Sequence, residues 1–172
     1  MASSHPSIET DHGYIDAFMQ CLTRTPELYD VVVLSNMFGD IATDLASVLQ
    51  GGMGMAASAN IGDNLMLFEP VHVSSPKYAG QNKVNPIAAI SSVQLMFDTL
   101  GSRNGDKDAI LCAEVLETAI SEHFSSGGAI TYDLGGKAST TQVGKEIADR
   151  CRNLLTELSS VSYTHLTLPT KA

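Results

Sequence analysis

Two aspartates one helical turn apart are well placed to hold a metal ion. Asp40 and Asp44 lie in a segment whose apolar residues recur at helical spacing, which brings both carboxylates to the same side of the predicted helix. Neighbouring carboxylates repel each other unless a cation lies between them, and Mg²⁺ or Mn²⁺ prefers oxygen ligands. A solvated acidic face is the alternative. Residues 36–39 place the pair directly after a predicted strand, where ligands of α/β folds gather, and this favours the metal.

A polar loop over residues 68–86 could bind an anionic, aromatic ligand. It contains His72, Lys77, Tyr78 and Asn85 among small residues. A cation and several hydrogen-bond donors suit a phosphate, and a ring suits stacking. An ordinary surface loop is the alternative, because polar loops outnumber binding sites.

A third motif resembles a dinucleotide-binding fingerprint only superficially. Gly52, Gly54 and Ala57 fit the pattern G-x-G-x-x-A, which requires a preceding strand and a following helix. Here the glycines follow a predicted helix, and residues 58–60 are not typical of a helix start. We therefore interpret them as a helix stop with a close backbone approach, and we predict that the fold is not a Rossmann fold.

The composition is typical of a globular protein and excludes some partners. The 172 residues are 44% hydrophobic, which is enough apolar mass to form a core. The net charge of −9 disfavours nucleic acid and anionic membrane surfaces. No apolar run approaches the ~18 residues of a membrane span, and the first residues lack the pattern of a signal peptide. We expect a soluble cytoplasmic protein, with an organelle matrix as the alternative.

The cysteines do not form a recognisable framework. Cys21, Cys112 and Cys151 lie far apart, and their number is odd. Neither a set of disulfides nor a zinc site fits this arrangement, so we expect reduced thiols in the core.

Periodicity predicts helices that alternate with a few strands. The predicted helices cover residues 14–24, 39–49, 87–100, 106–124 and 143–158. Residues 139–142 match a capping box before the last helix. The run 30–35 is β-branched and continuous, which predicts a strand buried on both faces, and residues 66–68 and 71–72 predict extended structure. This order is typical of an α/β protein.

Three stretches in the same order resemble the β-decarboxylating dehydrogenases that act on isocitrate, isopropylmalate, homoisocitrate or tartrate. They are GYIDA at 13–17, SNMFGDIATDLAS at 35–47 and FEPVHVSSPKYAGQNKVNP at 68–86. The resemblance covers about residues 5–158 and corresponds to the C-terminal half of a family member. The cofactor loop is most similar to that of the NADP-dependent isocitrate dehydrogenases.

The resemblance implies an incomplete isocitrate/isopropylmalate dehydrogenase-like α/β fold. Residues 1–50 would be the C-terminal part of the small domain, which carries the dimer contacts and the metal site. Residues 51–158 would be the C-terminal part of the large cofactor-binding domain. Residues 159–172 do not match the family, and we expect an artefactual or disordered tail.

The resemblance also assigns roles to individual residues. Asp40 and Asp44 would hold Mg²⁺ or Mn²⁺ in one subunit of a homodimer, and Asp16 would reach that metal from the other subunit and take part in proton removal. The metal would hold the hydroxyl and carboxylate of the substrate and support hydride loss and decarboxylation. The implied cofactor-binding residues are His72, Val73, Ser74, Ser75, Lys77, Tyr78, Val84, Asn85 and Tyr132.

The implied cofactor is NADP, with NAD as the alternative. Lys77 and Tyr78 resemble the pair that meets the 2′-phosphate in NADP-using relatives, and a cation with a phenol suits that dianion. Three residues depart from the family pattern: Val73 replaces a usual glycine, Ser75 a usual alanine, and Gly136 stands where some NADP enzymes carry an arginine. With glycine in place of that arginine, fewer side chains would contact the 2′-phosphate.

The implied activity is NADP-dependent oxidative decarboxylation of isocitrate to 2-oxoglutarate. The arginines, tyrosine and lysine that complete the family's active site fall in the missing half, so we expect this chain to be inactive alone. The alternatives are a relative that uses isopropylmalate, homoisocitrate or tartrate, and a non-catalytic subunit that keeps the helices for pairing.

Overall fold

The computed structural model describes the backbone of residues 4–164 and the side chains of residues 4–158. Within it the chain divides into two compact units, one ending at Leu49 and one beginning at Gln50. The assignment of these units to a small domain and a cofactor-binding domain stays a prediction.

The first unit is built on two helices. Helix α1 spans Ile15–Arg24 and helix α2 spans Asn36–Ser47, with short 3-10 turns at Pro26–Leu28 and Val48–Gln50. The prediction of α1 is confirmed, whereas α2 begins three residues earlier than the apolar pattern indicates. Its extra first turn contains residues 36–38, whose side chains are exposed and therefore add no apolar period.

The predicted buried strand at 30–35 is wrong. The segment has no strand pairing, and Val31 and Val33 are 83% and 89% exposed. A β-branched run forms a strand only when a neighbouring strand takes its backbone hydrogen bonds, and the one strand pair within residues 4–164 lies elsewhere.

The second unit begins with a two-stranded antiparallel hairpin. Strands β1 (Ala57–Ile61) and β2 (Met66–Pro70) pair with Ala57 opposite Pro70 and Ile61 opposite Met66. The extended prediction at 66–68 is confirmed, while β1 was not predicted, because its alanines, serine and asparagine carry little β propensity. Residues 71–72 fall in a bend.

The glycines before this hairpin do not form a nucleotide-binding turn. Gly52 has a φ of +108° and precedes a 3-10 turn, Met53–Met55, which leads into a strand rather than a helix. This confirms that the motif is not a Rossmann fingerprint.

Three helices follow: α3 (Ile87–Asn104), α4 (Lys107–Ser125) and α5 (Thr140–Thr164). The side chain of Asp106 caps α4 by accepting the N–H groups of Asp108 and Ala109. Ser139 Oγ accepts the N–H of Gln142 at 3.1 Å, which confirms the first half of the predicted capping box.

The core of this unit lies where α3, α4 and α5 meet. Ile87, Ala119, Val143 and Ile147 are each at most 2% exposed and pack together. Cys151 packs against them, whereas Cys112 is exposed, so the core position predicted for Cys112 is wrong. Helix α5 continues to Thr164, six residues beyond its predicted end at 158, and residues 165–172 of the expected tail lie outside the described residues. None of the helices in the described part of the chain is both long and apolar enough to cross a membrane.

The contact of α3 with α4 depends on a residue without a side chain. The helix predicted at 87–100 runs on through Gly101 to Asn104, and Gly105, whose φ is +67°, follows its end. A Cβ atom at Gly101 would lie 2.8 Å from Ile110 Cγ1 and 2.9 Å from the backbone nitrogen of Ile110. The glycine therefore serves close packing inside the helix rather than its end.

We expect Gly101→Ala to destabilise the second unit by about 1–3 kcal/mol, because the methyl group overlaps backbone that cannot move aside. Gly144→Ala is the matched control: Gly144 also lies within a helix, but a Cβ atom there would have no neighbour within 4 Å. We expect the control to gain about 0.5–1 kcal/mol from helix propensity. Urea denaturation followed by circular dichroism measures both, and equal shifts in the two variants would contradict the packing role.

Candidate cofactor and metal residues

Two tyrosines from distant parts of the second unit meet at the polar loop. Tyr78 ends the 3-10 turn Pro76–Tyr78, and Tyr132 begins the 3-10 turn Tyr132–Leu134. Their ring centroids are 5.5 Å apart and the rings are inclined at 52°. Both were predicted to bind the cofactor, and the fold brings them together.

Two lysines complete this group, which we call the tyrosine–lysine cluster: Lys77, Tyr78, Lys83 and Tyr132. The Nζ atom of Lys77 lies 4.7 Å from the centroid of the Tyr78 ring, and that of Lys83 lies 4.7 Å from Tyr78 and 4.6 Å from Tyr132. All three distances fall within the range of cation–π attraction. Among the ion pairs of the described residues, none involves either lysine.

The two phenols are electrostatically unequal. The hydroxyl of Tyr132 lowers the pKa of Tyr78, and both lysines add to this shift. The neighbouring Tyr78 in turn raises the pKa of Tyr132. The two lysines therefore favour an anion in the space around the Tyr78 ring.

The loop that carries Lys83 is fixed to the start of helix α5. The N–H of Thr140 donates to the carbonyl of Asn82 at 3.0 Å, and the hydroxyl of Thr140 donates to the carbonyl of Val84. The side chain of Asn82, whose φ is +50°, accepts from the N–H and the hydroxyl of Thr141 at 3.0 and 2.8 Å. These bonds hold residues 82–84 in one conformation.

Asn85 joins the loop to the segment that carries Tyr132. Its side chain is buried, and the amide donates to Asp133 Oδ2 at 3.0 Å and to Met55 Sδ at 3.4 Å. Its Oδ1 accepts the N–H of Ile87 at 3.0 Å. Asp133 in turn accepts from the hydroxyl of Thr131. The side-chain nitrogen and oxygen of Asn85, which was predicted to contact a cofactor, are thus both hydrogen-bonded within the protein.

The first part of the loop is more open. Val73 is 78% exposed and Ser74 is also exposed, whereas His72 and Ser75 are half-buried. His72 Nδ1 and the hydroxyl of Ser75 both lie within hydrogen-bond distance of the Val73 carbonyl, at 3.1 and 3.5 Å. Ser75 has a φ of +43°, a left-handed conformation that starts the turn presenting Lys77.

A buried histidine supports the segment before Tyr132. His123 is fully buried at the end of α4, and its Nε2 lies 2.9 Å from the carbonyl of Ala129. The carboxylate of Glu146 accepts the N–H of Ala129 at 3.1 Å, and this bond and a second from Gln142 lower the pKa of Glu146. Residue 129 is thereby fixed to both α4 and α5.

Gly136 has no room for a side chain. A Cβ atom there would overlap the carbonyl oxygen of Ile130, and the backbone N–H of Gly136 donates to the carbonyl of Thr131 at 2.9 Å. The position at which some NADP enzymes carry an arginine is therefore closed in this backbone.

The predicted metal ligands lie in the first unit. Asp16 is in the first turn of α1, where it accepts the N–H of Ala17 at 2.8 Å, and Asp40 and Asp44 lie on α2. Asp16, Asp40 and Asp44 are exposed, and none forms an ion pair with another described residue. Two carboxylates one turn apart fit the oxygen preference of Mg²⁺ or Mn²⁺.

The three aspartates do not form a metal site within one chain. Among the residues that the structure describes, no three acidic, histidine or cysteine side chains are grouped closely enough to hold a metal ion. Within the described part of the chain, Asp40 and Asp44 can supply two ligands.

Sequence reasoning missed Lys83, Asn82 and Asp133. Each lies in or beside a stretch that was singled out, but a lone lysine, asparagine or aspartate in a polar loop carries no periodic signal. Only the fold shows that Lys83 faces two rings and that the other two residues fix the loop.

Relatives of this chain are dehydrogenases of one family. Residues 1–147 match the family model described as isocitrate/isopropylmalate dehydrogenase. A homoisocitrate dehydrogenase of Methanocaldococcus jannaschii is 42% identical over 88% of this chain and 41% of its own length. An NADP isocitrate dehydrogenase of Archaeoglobus fulgidus is 48% identical over 77% of this chain and 30% of its own.

Solved structures give the same result. Isocitrate dehydrogenase from Methylococcus capsulatus matches with a TM-score of 0.80 at 37% identity, over 88% of this chain and 43% of that one. A β-decarboxylating dehydrogenase from Thermococcus kodakarensis matches with a TM-score of 0.77 at 35% identity, over 90% and 44%. The expected fold is confirmed, and the chain spans less than half the length of these relatives. The chain belongs to the isocitrate/isopropylmalate dehydrogenase family.

Proposed function

We propose that this chain is the C-terminal part of an NADP- and divalent-metal-dependent enzyme that oxidatively decarboxylates isocitrate to 2-oxoglutarate. The observation that carries the proposal is the tyrosine–lysine cluster, in which two lysines flank two phenols and neither lysine pairs with an acid among the described residues. The chain has a net charge of −9, so a local excess of positive charge needs an anionic ligand to explain it.

The residues of the cluster would grip the adenosine 2′-phosphate. Lys77 would pair with the phosphate, and the hydroxyls of Tyr78 and Tyr132 would donate to its oxygens. His72, Val73, Ser74 and Ser75 would line the approach to the adenosine, and Val84 and Asn85 would lie beside the cofactor. Asn85 would act mainly by holding these parts in register, since its side chain is engaged inside the protein.

Asp40 and Asp44 would hold Mg²⁺ or Mn²⁺, and Asp16 of a second subunit would complete the ligand set in a homodimer. When bound, the metal supplies Lewis-acid polarisation of the substrate hydroxyl and stabilises the negative charge left by decarboxylation. Asp16 would also accept a proton near this site, provided that the partner places it within hydrogen-bond reach.

The substrate could instead be another hydroxy acid of the same class. A homoisocitrate dehydrogenase and several 3-isopropylmalate dehydrogenases are about as similar to this chain as the isocitrate enzyme is. What favours isocitrate is Lys77 with Tyr78, the pair that resembles NADP-using isocitrate dehydrogenases. Calorimetry of the chain with NADP⁺ and with NAD⁺ tests whether Lys77 and Tyr78 select NADP⁺. A preference for NAD⁺ would contradict the assignment to isocitrate.

Lys77→Asp should weaken NADP⁺ binding relative to NAD⁺ binding. A carboxylate repels the 2′-phosphate and accepts ribose hydroxyls, so we expect the ratio of NADP⁺ to NAD⁺ affinity to fall about tenfold or more. Lys107→Asp is the control, because Lys107 begins α4 and lies outside the cluster. Calorimetric titration of both variants with NADP⁺ and NAD⁺ measures the affinity ratio. An unchanged ratio in Lys77→Asp would contradict a contact between Lys77 and the 2′-phosphate.

Introducing an arginine at Gly136 should not strengthen NADP⁺ binding. Any side chain there overlaps the Ile130 carbonyl, so we expect Gly136→Ala and Gly136→Arg each to lose at least about 2 kcal/mol of stability. The check is urea denaturation together with NADP⁺ titration. A stable Gly136→Arg variant with higher NADP⁺ affinity would show that this backbone can open.

Asp40→Asn and Asp44→Asn should each weaken Mn²⁺ binding about tenfold or more, because each removes one of two adjacent anionic ligands. Asp30→Asn is the matched control, an exposed aspartate of the same unit outside the pair. Electron paramagnetic resonance of free Mn²⁺ measures the affinity. If all three variants weaken binding alike, the effect is general charge and not a site.

A further inference from the structure

We propose that Lys83 is a positioning residue for the nucleotide: its ammonium group aligns the rings of Tyr78 and Tyr132 and supplies a second positive charge for a phosphate monoester. The inference rests on the proposed function and deepens it. It assigns part of the phosphate grip to a residue that neither the motif resemblance nor the family match singles out.

The geometry distinguishes Lys83 from the other lysine of the cluster. Lys77 contacts one ring, whereas Lys83 Nζ lies almost equally far from both centroids, 4.7 Å from Tyr78 and 4.6 Å from Tyr132. The rings come from segments more than fifty residues apart, so a cation shared between them links the loop to the segment at 131–134. Lys83 is also half-buried, while Lys77 is exposed.

The backbone fixes Lys83 in this place. Its two neighbours, Asn82 and Val84, are hydrogen-bonded to Thr140 and Thr141 at the start of α5. A long side chain mounted on a fixed backbone loses less conformational freedom when it binds a ligand. Such a lysine can hold its charge beside the two rings before any ligand arrives.

The ammonium groups of Lys77 and Lys83 are close enough to interact electrostatically. Each of the two ammonium groups lies 4.7 Å from the same ring centroid, so they are separated by at most twice that distance. Screening over this range is incomplete at physiological ionic strength, and the two charges repel each other. A dianion near both would remove that repulsion. Gly136 is closed to an arginine, and within the tyrosine–lysine cluster the second positive charge comes from Lys83.

The test compares two probes that differ by one phosphate. Adenosine 2′,5′-bisphosphate carries the 2′-phosphate and adenosine 5′-monophosphate does not. We expect Lys83→Met to weaken the first about tenfold and to leave the second unchanged, measured by calorimetry on the full chain. Lys83→Arg keeps the charge and stacks on rings, so it should retain both affinities. Lys107→Met is the control, and Lys83→Gln replaces Lys83→Met if the latter does not fold.

A second readout needs no ligand. Tyrosines labelled at Cζ report their own ionisation by nuclear magnetic resonance, and Tyr78→Phe and Tyr132→Phe assign the signals. Removing a cation from above the Tyr78 ring should raise the titration midpoint of Tyr78 in Lys83→Met but not in Lys107→Met. An unchanged Tyr78 titration would overturn the alignment role.

The outcomes separate this inference from the proposed function. Equal weakening of both probes by Lys83→Met, or no weakening of either, would overturn the phosphate role of Lys83 while NADP binding stands. Failure of the unmodified chain to bind either probe would overturn the proposed function and that role together. The tyrosine titration would still decide whether Lys83 aligns the rings.

Discussion

The buried amide of Asn85 makes the hydrogen bonds on which the position of the polar loop depends. It ties the polar loop to Asp133, to Met55 and to the first turn of α3. A buried amide that lost one of these partners would leave a polar atom unsatisfied, at a cost of about 1–3 kcal/mol. The loop and the segment of Tyr132 therefore keep one relative position, and this position brings the two tyrosines and Lys83 together.

Glycines set how closely the parts of the second unit approach. A Cβ at Gly54 would lie 2.7 Å from Asp133 Oδ2, one at Gly101 would overlap Ile110, and one at Gly136 would overlap the Ile130 carbonyl. These positions serve packing rather than phosphate binding. At Gly136 the same constraint limits chemistry as well, because it closes the position of an arginine and leaves the positive charge of the region to lysines.

Helices were predictable where their apolar period continued to their ends. Helices α1 and α4 fall almost where the pattern places them, since each buries one stripe and has a clear stop or cap. Strands were predicted less well. The β-branched run at 30–35 lacks a pairing partner, whereas β1, with weak propensity, forms because β2 lies beside it. Strand formation depends on distant backbone groups, which local sequence does not contain.

The sequence alone determined the family, the non-Rossmann character of its glycines and the residue types that we propose for a nucleotide and a metal. These properties follow from the spacing of motifs, which can be measured along the chain without knowledge of tertiary contacts. Only the tertiary structure decided which polar side chains remain free. Asn85 turns inward to hold the loop, Gly136 has no space for a side chain, and Lys83 lies over two rings from distant segments. The physical reason is that hydrogen-bond partners and steric room are set by residues far apart along the chain.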